Sequence, residues 1–405
     1  MTLGLAAPAD LPVLSFLFAL AAILVGARVG GEIATRIGQP AVLGEIVAGL
    51  ILGPHALGWV PDHPIFTLLA QVGVVLLLFE IGLDADLAAM LKVGGPAIRV
   101  AILGVVLPFV GGFLFAKALG LRDLTPIVLG ATLTATSVGI TARVLADLGK
   151  LQTQEARIIL GAAVVDDVLG IVILSLVQRT ADTGRFIWSP VFVTLLSAAG
   201  FLALALALGR IGAQALVRLV DVARTRGALI TMAVSLALVM GLLAAGTGSA
   251  PLIGALAAGI LLASTHKKQE IEHDIRPLVD FFAPIFFVSV GAAVDLELLS
   301  PLRAENGPTL ILAAGLIGIA LVGKVASGVV AGPVQRLVVG VGMIPRGEVG
   351  LLFASVGRAA GVLDTAMFGA VVAVVLVTTL LAPPLLQWSF ARPLQPRGKP
   401  SASQG

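Results

Sequence analysis

The chain is 405 residues long, 58% hydrophobic and only 12% charged, with a mean hydropathy of +1.07. Soluble chains average about 45–50% apolar and about 25% charged residues, so a soluble globular protein is excluded. The absence of Cys rules out a disulfide framework, a Cys zinc site and a thiol nucleophile; the net charge of +3 reads as loop charge beside a membrane, not as a nucleic-acid surface.

In chain order, apolar runs predict thirteen membrane spans, near 11–29, 40–53, 65–83, 97–119, 125–147, 155–177, 187–208, 227–245, 251–264, 278–294, 309–331, 335–358 and 364–388. Most approach the ~20 residues that cross a ~30 Å hydrocarbon core. The 48 Gly and 22 Pro fall largely inside these runs, which predicts close-packed and interrupted helices instead of disorder. The first charge is Asp10 and the first cation Arg28, beyond the first apolar run, so that run is expected to be retained and not cleaved as a signal peptide.

An odd span number puts the termini on opposite sides. With the N-terminus outside, the outer side holds only Lys117, Arg122, Arg179, Arg185, Arg303 and Arg358; the other loop and tail cations face the cytoplasm, as the positive-inside rule requires. Residues 389–405 read as a short cytoplasmic tail rich in Pro, Arg and Ser, with no nucleotide-binding domain expected after the last span.

An internal repeat is visible. Gly44-Glu-Ile-Val-Ala-Gly49 is echoed by Gly254-Ala-Leu-Ala-Ala-Gly259, the region of Gly82 and Asp86 by that of Gly291 and Asp295, and Ser137-Val-Gly139 by Glu348-Val-Gly350, all near one offset of 210 residues. A shared offset argues for duplication, and seven spans per copy would invert the second copy in the membrane, an architecture found in secondary transporters.

Charges within apolar spans are costly and survive mainly at cavities or beside partners. Those in the spans are Glu45, Glu80, Asp166, Asp167, Lys324, Arg346 and Glu348. Asp166 and Asp167 lie mid-span; neighbours on a helix point about 100° apart, so the two carboxylates meet different surroundings. Carboxylate oxygens suit hard cations and accept protons, so the pair is a candidate cation and proton site, with helix-joining hydrogen bonds as the structural alternative. Lys324 lies too deep to snorkel, and a buried ammonium needs an anion; one of the two Asp is its natural partner, whether as part of transport or as a static ion pair.

Two spans carry helix-interrupting chemistry: Thr134, Thr136 and Ser137 before Gly139, and Pro345 among Gly340, Gly342 and Gly347. Corresponding breaks in two halves point to a transporter binding site, where freed carbonyls and hydroxyls can ligate a cation. Arg346 and Glu348 are candidates for balancing charge at the second break. Glu45 and Glu80, near span ends, read as structural acids; His55, His63, His266 and His273 fall in predicted loops, with pH sensing by His266 and His273 as an alternative to plain solvation.

The segments Thr134-Ala-Thr-Ser-Val-Gly-Ile-Thr-Ala-Arg-Val-Leu145, Ile158-Ile-Leu-Gly-Ala-Ala-Val-Val-Asp-Asp-Val-Leu-Gly170, Ala283-Pro-Ile-Phe-Phe287 and Pro345-Arg-Gly-Glu-Val-Gly-Leu351 resemble the bacterial sodium/proton antiporters of the second monovalent cation:proton antiporter family, most closely NapA-type exchangers, over residues 12 to 390. The resemblance implies an all-α membrane protein of about thirteen transmembrane helices with an inverted-repeat, NhaA-like fold and two crossed broken helices. It implies a homodimer with core-domain helices at about 65–177 and 278–388 and dimerisation-domain helices at about 11–53 and 187–264. It also assigns Asp167 as the ion-carrying carboxylate, Asp166 as its neighbour and the partner of Lys324, and Thr136 and Ser137 to the unwound crossing. Potassium-efflux relatives carry Gln for the first Asp and append a nucleotide-binding domain, neither of which occurs here. The expected activity is electrogenic exchange of Na⁺, with Li⁺ or K⁺ as alternatives, for H⁺ across the bacterial cytoplasmic membrane. No cofactor and no enzymatic reaction are expected; a K⁺/H⁺ antiporter, a gated cation channel and an organic-acid symporter are the other readings.

Overall fold

The computed structural model describes residues 12–84, 93–121, 124–183, 227–246, 251–294 and 307–392, together with 200, 214, 217 and 218. Among them the regular structure is entirely helical: α1 (Val13–Arg36), α2 (Ala41–Leu52), α3 (Pro64–Asp84), α4 (Gly94–Ala118), α5 (Thr125–Thr132), α6 (Val138–Asp147), α7 (Gln154–Thr183), α8 (Ala228–Gly246), α9 (Pro251–Ala263), α10 (Lys268–Ala292), α11 (Gly307–Ser327), α12 (Arg336–Gly342), α13 (Glu348–Ala359) and α14 (Thr365–Ala391). Seven of these, α1, α3, α4, α8, α10, α11 with its 3-10 extension, and α14, are long and apolar enough to cross a membrane. The chain is a multi-pass membrane protein.

Most predicted spans fall on these helices, and the differences have local causes. The runs at 125–147 and 335–358 are each split, into α5 and α6 and into α12 and α13, where backbone ladders stop at 133–137 and 343–347. The run at 278–294 begins ten residues earlier, at Lys268, because the preceding turns are amphipathic: Ile271, Ile275 and Val279 are buried while the charged residues between them face out. His273 therefore lies on a helix and not in a loop. The predicted span at 187–208, apart from residue 200, and the echo between Asp86 and Asp295 lie outside the described residues.

Caps follow the sequence. The Asp364 carboxylate accepts the Met367 amide at 2.7 Å to start α14, and Gly149, at φ +64°, ends the turn after α6, where a side chain would be strained.

Glycine sets the packing, because it lets helix backbones touch. A Cβ on Gly49 would collide with the Val288 carbonyl, and one on Gly259 with the Phe79 carbonyl; a Cβ on Gly291 would meet the Ile46 carbonyl, and one on Gly82 the Leu256 carbonyl. Gly44 abuts Gly30 as Gly254 abuts Met240. Gly49–Val288 with Gly259–Phe79, and Gly291–Ile46 with Gly82–Leu256, are related by 209 or 210 residues with the partners exchanged between the halves, the mark of a two-fold relation, while Gly44–Gly30 and Gly254–Met240 repeat at 210 within each half. Equivalent helices run antiparallel: Gly73 of α3 meets Phe282 of α10 while Glu80 meets Arg276, and Gly104, Gly111 and Phe115 of α4 meet Ser327, Ile319 and Gly315 of α11.

Two sets of helices result. α3 and α10 pack on each other and on α9 and α2, with α1 and α8 outside; α4 packs on α11, α7 and α5, and α14 on α11, α12 and α13. Contacts between the sets run mainly through α6, which touches α2 and α3, and through α14 on α2.

Candidate functional site

The site is built where the two interrupted helices meet. The Ser137 amide donates to the Pro345 carbonyl at 2.8 Å, Thr136 Oγ1 to the Met343 carbonyl at 3.2 Å and Thr141 Oγ1 to the Gly342 carbonyl at 2.9 Å. Arg346 Nη1 donates to the Ala135 carbonyl at 2.6 Å, and Thr379 Oγ1 to the Arg346 carbonyl at 2.6 Å. Backbone groups freed by one break are thus satisfied by the other, as groups inside a membrane protein must be. Gly347 is required by proximity, since a Cβ there would sit 2.7 Å from Ser137 Oγ.

α7 brings both acids to this crossing. Asp166 is 0% and Asp167 3% exposed. Lys324 of α11, also fully buried, donates from Nζ to Asp166 Oδ2 at 2.9 Å, which settles the choice between the two acids in this structure. Gly104 of α4 leaves room beside the ammonium; a Cβ there would lie 3.5 Å from Nζ. Asp167 faces a different place, a void of about 10 Å³ lined by Thr136, Ser137, Gly347, Val349 and, from the other helix set, Leu252. The adjacent carboxylates therefore have separate tasks available, one neutralised by a lysine and one beside hydroxyls at the seam.

Among the other predicted residues, Thr134 bonds back to its own helix, Oγ1 to the Ala131 carbonyl at 2.8 Å, and does not line that void. Arg346 is fully buried with Nε and Nη2 unbonded, and Asp166 Oδ1 likewise has no hydrogen-bond partner. Glu348 is the first residue of α13; its side chain lies outside the described residues. Sequence reasoning missed Thr379, the Ala135 carbonyl and Leu252; only the Thr378-Thr379 pair in an apolar run signalled any of them.

A larger cavity of about 510 Å³ opens between the helix sets at the end bearing His55, Asp62, His63 and Arg358, and reaches Ser289 and Leu351.

Residues 18–392 match the family described as sodium/hydrogen exchanger, transmembrane. The chain belongs to this family. It is 39% identical to the high-affinity Na⁺/H⁺ antiporter NhaS3 of Synechocystis, covering 94% of this chain and 91% of that protein, and 34% identical to the Na⁺/H⁺-K⁺ antiporter GerN of Bacillus cereus, covering 93% and 96%. Its fold is that of the solved sodium proton antiporter MjNhaP1 from Methanocaldococcus jannaschii, with a TM-score of 0.66 at 19% identity over 93% of this chain and 97% of that one. In this exchanger, then, the buried Asp166–Lys324 pair, Asp167 and the paired breaks occupy one locus inside the set of α4–α7 and α11–α14, and the void at Asp167 meets the other set at Leu252.

Proposed function

We infer that this exchanger is a secondary active antiporter that carries Na⁺ against H⁺ by alternating access. The observation that carries the reading is the placement of Asp167 beside a small void at the seam that Thr136 and Ser137 also line, next to a fully buried Asp166–Lys324 pair. Both ions compete for the same carboxylate: Na⁺ needs Asp167 ionised, and a proton displaces Na⁺. Thr136 and Ser137 add oxygen at the same point, which suits a hard monovalent cation. Competition for one site couples the two flows with no covalent step.

Asp166 and Lys324 form a pair that opens as Na⁺ enters and closes as protons return. Two acids and one lysine against one monovalent ion make the cycle electrogenic, with more than one proton per Na⁺. Arg346 balances charge at the breaks, together with Glu348.

We place the protein in the bacterial cytoplasmic membrane as a homodimer with thirteen spans in an inverted repeat, N-terminus outside and C-terminus inside. The reciprocal glycine contacts and antiparallel equivalent helices support the inverted repeat, and the distribution of Lys and Arg supports the orientation. Packing argues for redrawing the domain boundaries: α3 and α10 join α1, α2, α8 and α9 in the interface set, and α4–α7 and α11–α14 form the moving core.

The test is proton-gradient dissipation in proteoliposomes on adding Na⁺, Li⁺ or K⁺. Na⁺ is expected to collapse the gradient. Dissipation by K⁺ alone would favour the K⁺/H⁺ reading, to which GerN's name lends support; ion-independent leakage would favour a channel.

A further inference from the structure

α4 carries a proline in its interior, Pro108, on the face that packs against the helix of Lys324. A helical proline has no N–H to give the carbonyl four residues earlier, which here is that of Gly104. Gly104 and Pro108 are both buried, and a buried carbonyl without its helical donor needs another one.

The packing of α4 on α11 fixes which donor is at hand. A Cβ on Gly323 would lie 2.9 Å from Pro108 Cγ, and a Cβ on Gly104 would lie 3.5 Å from Lys324 Nζ and 3.6 Å from Ser327 Cβ. Two successive residues of α11, Gly323 and Lys324, thus meet Pro108 and Gly104, the two ends of the interrupted bond in α4. Carbonyls in a helix point toward its C-terminus, so that of Gly104 points along α4 toward Pro108, at the level of Lys324. Ser327 Oγ gives its one hydrogen to the Lys324 carbonyl at 2.7 Å. Lys324 Nζ has three N–H groups, and among the described residues it donates to Asp166 Oδ2 at 2.9 Å. The ammonium is therefore the donor beside Gly104 with hydrogens still unused.

We propose that the Gly104 carbonyl, released by Pro108, is a second acceptor for Lys324 and holds the ammonium while its pair with Asp166 is open. This rests on the reading of that pair as one that opens when Na⁺ enters. A cation inside a membrane protein is held by an acid or by backbone carbonyls, and a carbonyl that proline has taken out of its ladder is available in every state of the cycle. Because Gly104 already stands beside Nζ, the change of partner needs only a turn of the lysine side chain. Pro108 is a positioning residue: it touches no ion and acts on Lys324 through the Gly104 carbonyl.

Pro108→Ala returns an amide hydrogen to the Gly104 carbonyl. Pro108→Val does the same while keeping more of the ring's volume against Gly323, and it serves if Pro108→Ala does not fold. Thermal melts in detergent are run for both in three backgrounds: the parent, Asp166→Asn, and Lys324→Met, which has no N–H to offer. Either residue suits a helix interior better than proline, so in the parent and in Lys324→Met the melting temperature is expected to hold or rise. In Asp166→Asn, where Lys324 has the carbonyl as its remaining acceptor, the same change is expected to lower the melting temperature by about 2 °C or more relative to its effect in the parent. In exchange assays both variants should raise the Na⁺ KM about tenfold with little change in kcat, since Na⁺ binding is the step that leaves Lys324 in need of the carbonyl. A proline that only shapes α4 would leave that KM alone. Equal melting shifts in all three backgrounds, or an unchanged Na⁺ KM in a working exchanger, overturn the second acceptor. The melts require no transported ion, so their result stands apart from the proteoliposome test of Na⁺/H⁺ exchange.

Discussion

The Ser137 amide and the Pro345 carbonyl, 2.8 Å apart, join the two interrupted helices at the point where each has lost its own ladder. Neither break is stable alone in a membrane, since each leaves amides and carbonyls unpaired. Together they form one rigid crossing against which Asp167 is held, and the consequences can be measured.

Asp167→Asn keeps the side-chain volume and removes the charge. It is expected to abolish Na⁺-driven proton movement in proteoliposomes while leaving the melting temperature in detergent close to that of the parent. Exchange at the parent rate would remove Asp167 from the ion site.

Breaking the Asp166–Lys324 pair strands a charge that is fully buried. Asp166→Asn and Lys324→Gln are each expected to destabilise by about 3–5 kcal/mol, as removal of one partner from a buried pair does. The double variant should recover part of that loss. Thermal melts of all four proteins supply the cycle, and strictly additive losses would show that the two groups do not act as a pair.

Voltage dependence tests the stoichiometry. A membrane potential contributes about 2.3 kcal/mol per charge per 100 mV, so a negative-inside potassium diffusion potential should speed Na⁺ extrusion. A rate indifferent to voltage would indicate one-to-one exchange. Lys324→Gln separates two roles: a proton-carrying lysine predicts exchange without voltage dependence, a purely structural one lower stability with voltage dependence kept.

The reciprocal glycines make a paired prediction. Gly49→Leu and Gly259→Leu drive side chains into the Val288 and Phe79 carbonyls, and both should lower stability by at least the ~1–3 kcal/mol of an overpacked core. Gly318, with open space around its Cβ direction, should accept Ala with no loss of melting temperature.

Much of this was written locally. Pro345 with its neighbouring glycines marked one break and the Thr-Ser cluster before Gly139 the other, and the apolar runs located most helices within a few residues. Where an apolar-run criterion failed, at Lys268 to Leu278, the helix is amphipathic and only its buried stripe is apolar. His273 was misplaced for the same reason.

The sequence by itself determined that the chain spans a membrane, that short motifs recur at one offset near 210 residues, and that two acids and a lysine must share its interior. A 20-residue apolar window and a charge in hydrocarbon each carry their free energy within one segment, so no partner is needed to read them. Only the tertiary structure decided which charges meet. Lys324 pairs with Asp166 across 158 residues of chain, because helix packing through glycine brings those positions together. An ion pair depends on distance in space, and separation along the chain places almost no limit on that distance once the helices fold back on one another.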